Sequence, residues 1–132
     1  MFNVELVIFD MDGLMFDTEK LSFRVWNTVL KKRGYKFDFD IYKSFLGSNM
    51  NKINESCIKN YGEDFPFKEI REERYCLLRA IVVKEGVPVK KGLFELLDFL
   101  QYKKIKSAIA TSSEENRAAI FLNNTDVKQY FI

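Results

Sequence analysis

Histidine is absent from the 132 residues of the chain. Its absence excludes imidazole from acid–base chemistry and excludes a histidine-ligated metal site. Proton transfer would have to use carboxylates, lysine, tyrosine or cysteine. Only two cysteines occur, Cys57 and Cys76, and their wide separation has no metal-ligand spacing. We therefore expect reduced thiols rather than a disulfide.

The chain also lacks a strong charge and a long apolar run. Its 21 basic and 19 acidic residues leave a net charge of +2, and the basic residues are dispersed. This pattern predicts that the chain does not bind nucleic acid. The first apolar run is short and contains Glu5, so we expect neither a signal peptide nor a membrane span. With reduced thiols, these features favour a cytoplasmic protein.

Residues 4–9 are apolar except for Glu5 and lead directly into an acidic turn. Such a run predicts a strand buried on both faces, as in a parallel sheet. Asp10, Asp12 and Gly13 follow it. Ligands bind beyond the carboxyl ends of parallel strands. If the backbone stays extended as far as Asp12, both carboxylates leave from the same face.

Two neighbouring carboxylates need neutralisation or a proton, and each solution has a chemical use. They can bind a hard cation such as Mg²⁺. One can attack phosphorus and form an aspartyl-phosphate, while the other serves as general acid and base. The alternative is an acidic surface turn without function. An apolar strand leading straight into Asp-x-Asp-Gly argues against that alternative.

A second polar segment, Thr111, Ser112 and Ser113, lies between a predicted strand and a predicted helix. Hydroxyl groups and the free N–H groups of a helix start can bind phosphate. The alternative is that Ser112 or Ser113 only caps the helix. Because the carboxyl ends of adjacent parallel strands meet, we expect Thr111 near Asp10.

Between these two segments, the periodicity is helical. Apolar residues at spacings of three and four predict four helices before the glycine and proline of residues 86–88. A fifth helix, a second strand and a sixth helix follow, and no further strand is predicted in residues 127–132. The predicted helices and strands span residues 18–33, 41–46, 49–60, 66–84, 93–104, 105–111 and 114–122.

The stretch from Asp10 to Glu19 resembles the first motif, D-x-D-G-x-x-x-D-[ST]-E, of the haloacid dehalogenase superfamily. More narrowly, it resembles the β-phosphoglucomutase-like phosphatases with a helical cap. The resemblance implies that Asp10 is the nucleophile and that Asp12 is the general acid and base. It also implies that Asp10 and Asp12 both bind Mg²⁺, with Asp12 offering its backbone carbonyl. It also implies that Thr111 binds the phosphoryl group and that Ser112 contributes its backbone N–H.

The resemblance predicts an α/β fold that is mostly helical by residue count. Its parts are an incomplete Rossmann-like core of parallel strands at residues 1–16 and 87–132, and a four-helix cap inserted at residues 17–86. Hinges are expected at residues 16–18 and 86–88. The implied activity is a Mg²⁺-dependent phosphatase that acts on a small phosphorylated metabolite.

The cap loop, Gly47, Ser48 and Asn49, is where such proteins select substrates. A sugar phosphomutase would carry an arginine just after the glycine, but Asn49 and Met50 are uncharged. Lys52 is close, yet it cannot grip a phosphate as a guanidinium fork does. The phosphatase is therefore favoured, and the β-phosphoglucomutase-like phosphomutase is the alternative.

The family's later lysine and its distal acidic pair have no counterpart in the sequence. We therefore expect an N-terminal fragment of a longer protein, with impaired turnover. Without later strands, residues 4–9 would form an exposed apolar edge, which favours self-association or a complementing chain. A non-catalytic binding module, or half of a split protein, is the alternative from another functional class.

Overall fold

The computed structural model describes residues 3–132, which divide into two compact units. The sheet unit contains the chain up to Glu19 together with Arg79–Ile132, and the helical unit is Lys20–Leu78. In chain order the elements are β1 (Leu6–Phe9), α1 (Glu19–Lys32), α2 (Phe39–Lys43), α3 (Met50–Tyr61), α4 (Phe67–Glu85), α5 (Leu93–Tyr102), β2 (Lys106–Ile109), α6 (Glu115–Asn123) and a 3₁₀ turn at Lys128–Tyr130.

The sheet unit is built on two parallel strands. β1 pairs with β2 in a register that runs from Leu6 opposite Lys106 to Phe9 opposite Ile109. A helical crossover between parallel strands is the expected connection. The predicted α/β fold with parallel strands and a mostly helical chain is confirmed. The second strand is shorter than residues 105–111, because regular pairing ends at Ile109.

The prediction that β1 is buried on both faces is wrong for one face. Alternate residues of a strand point to opposite sides. Phe9 is buried and packs edge to face against Phe131, with ring centroids 5.8 Å apart. On the other face, Val4 is 53% exposed, Leu6 43% and Ile8 62%. A run of apolar residues cannot by itself show whether a second layer covers each face.

The segment that leads from β1 to α1 and the segment that leads from α4 to α5 lie side by side within the sheet unit. Phe16 and Val89 form an antiparallel bridge. The Asp17 N–H donates to the carbonyl of Pro88 at 2.7 Å, and the Lys90 N–H donates to the carbonyl of Met15 at 2.9 Å. α4 continues through the division between Leu78 and Arg79. The cap limits at residues 17–86 stay a prediction.

The helical unit has its own core, rich in aromatic side chains. Trp26 packs against Phe45 with ring centroids 4.8 Å apart, and the guanidinium carbon of Arg74 lies 3.7 Å from the Trp26 ring centroid. α1 is followed by Gly34 at φ +83°, a conformation that favours glycine at the end of a helix. The buried members of this core are Trp26, Val29, Leu30, Phe37, Tyr42, Phe45, Ile53, Cys57, Phe65 and Ile70.

α2 begins earlier than the predicted residue 41. The Asp38 carboxylate accepts a hydrogen bond from the Ile41 N–H at 2.9 Å and caps the helix. Phe39 and Asp40 therefore belong to the helix. This cap was missed because the aromatic and acidic residues before Ile41 obscured the start of the helix.

Both cysteines are free thiols, as predicted. Cys57 lies in the helical core, and Cys76 is exposed. Burial raises the pKa of the Cys57 thiol to about 12, although the Arg74 charge acts in the opposite direction. The Cys57 thiol therefore stays protonated at neutral pH.

The C-terminal residues form no regular strand, in agreement with the sequence. Phe131 nevertheless makes an isolated parallel bridge with Ser107 of β2, and the Ile132 N–H donates to the Ser107 carbonyl at 3.0 Å. Across residues 3–132, no helix combines the length and apolar character needed to cross a membrane.

Candidate active site

Asp10 stands immediately after β1, and its side chain is exposed. Its Oδ1 accepts a hydrogen bond from the backbone N–H of Met11 at 3.0 Å. Met11 itself is fully buried and anchors the turn. Gly13 follows at φ +78°, a conformation that favours glycine, and its N–H donates to the Phe16 carbonyl. The turn therefore leaves the Asp10 carboxylate facing solvent.

Asp12 has a different environment, although it is only two residues away. Its carboxylate accepts hydrogen bonds from the Thr18 hydroxyl at 2.9 Å, from the Ser113 hydroxyl and from the Arg117 guanidinium. The side chain is 32% exposed. A turn begins at Met11, so the condition that the backbone stays extended from Asp10 to Asp12 is not met. The two carboxylates consequently take separate partners.

The pKa of Asp12 reflects two opposing effects. Burial alone raises the pKa of this carboxyl group, but the Arg117 charge and the hydrogen bonds from Ser113, Arg117 and Thr18 outweigh it. The pKa of Asp12 consequently lies below its ordinary value. Asp12 is therefore ionised at neutral pH in this arrangement.

The two strand ends meet as expected. The Ala110 N–H donates to the Phe9 carbonyl at 2.9 Å. Asp10 directly follows Phe9, and Thr111 directly follows Ala110, so both lie just beyond this hydrogen bond. Thr111 and Ser112 are exposed. The Thr111 hydroxyl oxygen accepts the Ser113 N–H at 3.0 Å, which shapes the loop before α6.

The contact across the two loops is made by Asp12 and Ser113. The N-cap of α6 is Glu114, and its side chain makes no capping hydrogen bond. The alternative that Ser112 or Ser113 caps this helix is therefore wrong. Ser113 instead directs its hydroxyl group at Asp12. It was part of the predicted hydroxyl segment, but its partner was not foreseen.

Arg117 is the residue that sequence reasoning missed. Its Nη1 contacts Asp12 and lies 3.1 Å from the Ser113 hydroxyl oxygen. Its guanidinium carbon is 5.0 Å from the ring centroid of Phe121, and its side chain is only 14% exposed. Ser113, Arg117 and Phe121 are four residues apart, a spacing that places side chains along one side of a helix. This spacing was the available sign in the sequence.

The predicted cap loop belongs to the helical unit. Gly47 has φ +70°, the Ser48 hydroxyl donates to the Ser44 carbonyl at 3.2 Å, and Asn49 is the N-cap of α3. The Asn49 side chain accepts the Lys52 N–H at 2.9 Å. These contacts explain the local shape of the loop, and its role in substrate selection stays a prediction.

The carboxylate oxygen atoms at the acidic turn can be compared with the ligands that metal ions prefer. Within residues 3–132, no group of three or more histidine, cysteine, aspartate or glutamate side chains is arranged to hold an ion. Asp10 and Asp12 provide hard oxygen atoms, and Asp10 is open to solvent. Mg²⁺ commonly uses one or two carboxylates with waters and substrate oxygens. The donor set therefore fits Mg²⁺ and lacks the nitrogen and sulfur ligands of a zinc site.

Residues 7–132 match the profile of a family described as haloacid dehalogenase-like hydrolases. A phosphorylated carbohydrates phosphatase from Thermotoga maritima is 32% identical over 133 residues, covering 97% of this chain and 59% of the relative. The fructose-1-phosphate phosphatase YqaB of Escherichia coli is 25% identical over 127 residues, covering 95% of this chain and 65% of the relative. The chain thus spans about three fifths of the length of these relatives.

Among solved structures, CbbY from Rhodobacter sphaeroides in complex with phosphate superposes with a TM-score of 0.80 at 18% identity. The match covers 98% of this chain and 61% of that protein. This likeness concerns the fold, which the two proteins share.

Proposed function

Because the chain belongs to the haloacid dehalogenase-like hydrolases, we propose that it carries the nucleophile and the acid–base group of a Mg²⁺-dependent phosphatase. One observation carries the proposal. The loop after β1 and the loop after β2 lie together, and Asp12 is hydrogen-bonded to Ser113 across them. A phosphate ester bound there would meet the exposed Asp10 carboxylate and the exposed Thr111 hydroxyl.

In the proposed reaction, an Asp10 carboxylate oxygen attacks phosphorus, and the bond between phosphorus and the ester oxygen breaks. Asp12 gives a proton to the departing oxygen. Asp12 then takes a proton from water, whose oxygen attacks the aspartyl-phosphate and releases inorganic phosphate. Since Asp12 is ionised beside Arg117, it must first acquire the proton that it donates.

The Asp10 carboxylate, the Asp12 backbone carbonyl and substrate oxygens would hold the Mg²⁺ ion. When bound, the ion supplies positive charge that offsets the phosphate and carboxylate charges. The Thr111 hydroxyl and the Ser112 N–H would orient the phosphoryl group. The substrate class we propose is a small phosphorylated carbohydrate, which the names of the two phosphatase relatives support.

The exposed face of β1 supports a proposed partner as well. Val4, Leu6 and Ile8 form an apolar strip beside the acidic turn. Contiguous exposed apolar surface marks interaction sites in proteins. We propose that this strip packs against a further polypeptide segment, either a complementing chain or a second copy. A binding module without catalysis is the second candidate function that this strip favours.

Phosphate release from a panel of sugar phosphates in the presence of Mg²⁺ tests the phosphatase. It should be measured on this chain and on a version of it lengthened to match its relatives. Asp10→Asn should lower the rate in any active form roughly a thousandfold or more, because the nucleophile is lost. Asp17→Asn is the matched control, since Asp17 is exposed in the same loop and pairs with Lys90 at 3.8 Å.

Substantial activity in Asp10→Asn would overturn the covalent mechanism. If neither the chain nor its lengthened version releases phosphate from any ester, the phosphatase proposal fails and the binding module is supported.

A further inference from the structure

Arg117 lies in the first turn of α6, and its side chain contacts Asp12 of the acidic turn. Its Nη1 donates to Oδ1 of Asp12 and lies 3.1 Å from the Ser113 hydroxyl oxygen. Arg117 lies outside both motifs that the sequence shares with the family. The contact with Asp12 therefore gives α6 a link to the acid–base group that neither motif explains.

The surroundings of Arg117 hold its side chain in place. Its guanidinium carbon is 5.0 Å from the ring centroid of Phe121, which is fully buried, and the Arg117 side chain is only 14% exposed. A guanidinium is attracted to the face of an aromatic ring. Arg117 is therefore ordered before it pairs, whereas an exposed arginine loses side-chain entropy on pairing.

The donors are divided unequally between the two oxygens of the Asp12 carboxylate. Arg117 and Thr18 donate to Oδ1, whereas Ser113 donates to Oδ2. A guanidinium can only donate hydrogen bonds, so the oxygen that it contacts is poorly placed to carry a proton. A serine hydroxyl can donate to a carboxylate and accept from a carboxylic acid. Oδ2 is therefore the oxygen of Asp12 that can take up and give a proton.

We propose that Arg117 is a positioning residue that holds Oδ1 of Asp12 and thereby fixes Oδ2 as the oxygen that protonates the leaving group. This inference rests on the proposed phosphatase, in which the Asp12 backbone carbonyl would hold the metal and the carboxylate stays available for proton transfer. The proton passes from Oδ2 to the ester oxygen as the bond between that oxygen and phosphorus breaks, and the bonding electron pair stays on the oxygen. Arg117 touches neither the substrate nor the proton.

The test compares two esters that differ in their need for this proton. A sugar must be protonated as it leaves, whereas p-nitrophenolate is a stable anion. The measurement is kcat/KM with Mg²⁺ present, for p-nitrophenyl phosphate and for the sugar phosphate that wild type hydrolyses fastest. Arg117→Gln should lower kcat/KM about thirtyfold for the sugar phosphate, because a displaced general acid loses much of its effect. The loss for p-nitrophenyl phosphate should be less than about threefold, because its leaving group needs no general acid.

Equal losses with both esters would overturn the inference, because a purely structural role of Arg117 would disturb Asp10 and Thr111 together with Asp12. Arg79→Gln is the matched control, because Arg79 is an exposed arginine of α4 in the same unit. It changes the net charge equally and should leave both kcat/KM values within about twofold of wild type at physiological salt.

A second measurement needs neither activity nor a variant, and it remains decisive if Arg117→Gln does not fold. The exchange of arginine side-chain N–H groups with water is followed by NMR on wild type. The Arg117 guanidinium should exchange at least about tenfold more slowly than that of Arg79, because it is hydrogen-bonded and shielded from water. Exchange at the rate of Arg79 would mean that Arg117 does not hold Asp12 in solution, and the positioning role would fail.

The outcomes separate this inference from the proposed function. If no form of the chain releases phosphate from either ester, the phosphatase and the positioning role both fail. If wild type hydrolyses both esters and Arg117→Gln slows them equally, only the positioning role fails. Hydrolysis of p-nitrophenyl phosphate alone by wild type would mean that Asp12 delivers no proton, and it would likewise remove the positioning role.

Discussion

The helical unit and the sheet unit differ in how completely they bury their apolar side chains. The helical unit surrounds its aromatic residues, and Trp26 and Phe45 are both nearly inaccessible. The sheet unit buries Phe9 and Phe121 but leaves Ile8 62% exposed on the opposite face of β1. One unit closes its own core, whereas the other presents an apolar strip beside its polar loops.

This difference indicates where stability and chemistry lie in the chain. The helical unit gains its stability from burial, since apolar area removed from water is the main favourable contribution to folding. The sheet unit carries Asp10, Asp12 and Thr111 on short loops after two parallel strands. An open apolar face next to such loops is the feature expected of a surface that another segment covers.

The sharpest test of the closed core is Trp26→Ala. Trp26 is 2% exposed and contacts both Phe45 and Arg74, so its removal leaves a large cavity and an unstacked guanidinium. Unfolding free energy should fall by about 3–5 kcal/mol. Urea denaturation followed by circular dichroism measures it.

Tyr102→Ala is the matched aromatic control in the sheet unit. Tyr102 is 79% exposed on α5, so its loss should change stability by no more than about 0.5 kcal/mol. Equal costs for the two variants would contradict the closed core of the helical unit.

A smaller effect compares the two faces of β1 directly. Phe9→Ala removes a buried ring that contacts Phe131 and should cost about 3 kcal/mol. Ile8→Ala, one residue earlier, should cost less than about 0.5 kcal/mol because its side chain faces solvent. The measurement is urea denaturation at several protein concentrations.

A large loss of stability in Ile8→Ala that depends on protein concentration would contradict the difference between the two faces of β1. It would mean that another copy of the chain already covers this face in solution.

The smallest expected effect is the pH dependence of the stability that Asp12 contributes. Its folded-state pKa is depressed, so its contribution to stability is present above the unfolded pKa, which is about 3.9, and is lost as pH falls through the folded value. The stability difference between wild type and Asp12→Asn should be about 1 kcal/mol at neutral pH and shrink in acid. Urea denaturation at a series of acidic pH values measures it.

The same comparison, made in the Arg117→Gln variant, tests whether Arg117 causes the depressed pKa of Asp12. Without the Arg117 charge, the loss of the Asp12 contribution should begin at higher pH. The same midpoint in both backgrounds would show that Arg117 does not depress the Asp12 pKa.

Much of the fold follows from local sequence patterns. The helical spacing gave the order of the helices, and the polar segments after two apolar runs placed Asp10 and Thr111 at neighbouring strand ends. The start of α2 was misplaced because the aromatic and acidic residues before Ile41 hid the Asp38 cap. The contact of Asp12 with Arg117 could not be predicted, because it spans 105 positions and depends on how α6 is rotated against the acidic turn.

The bridge between Phe16 and Val89 has a consequence for how such a chain can vary. The polypeptide leaves and returns through adjacent, hydrogen-bonded positions, with the Asp17 N–H and the Pro88 carbonyl 2.7 Å apart. The entropy of closing a loop grows only with the logarithm of its length. An insert of a different size could therefore be grafted between these two positions without shifting the register of β1 and β2. The pairing of Phe16 with Val89 would thus let the helices between them change while β1 and β2 stay the same.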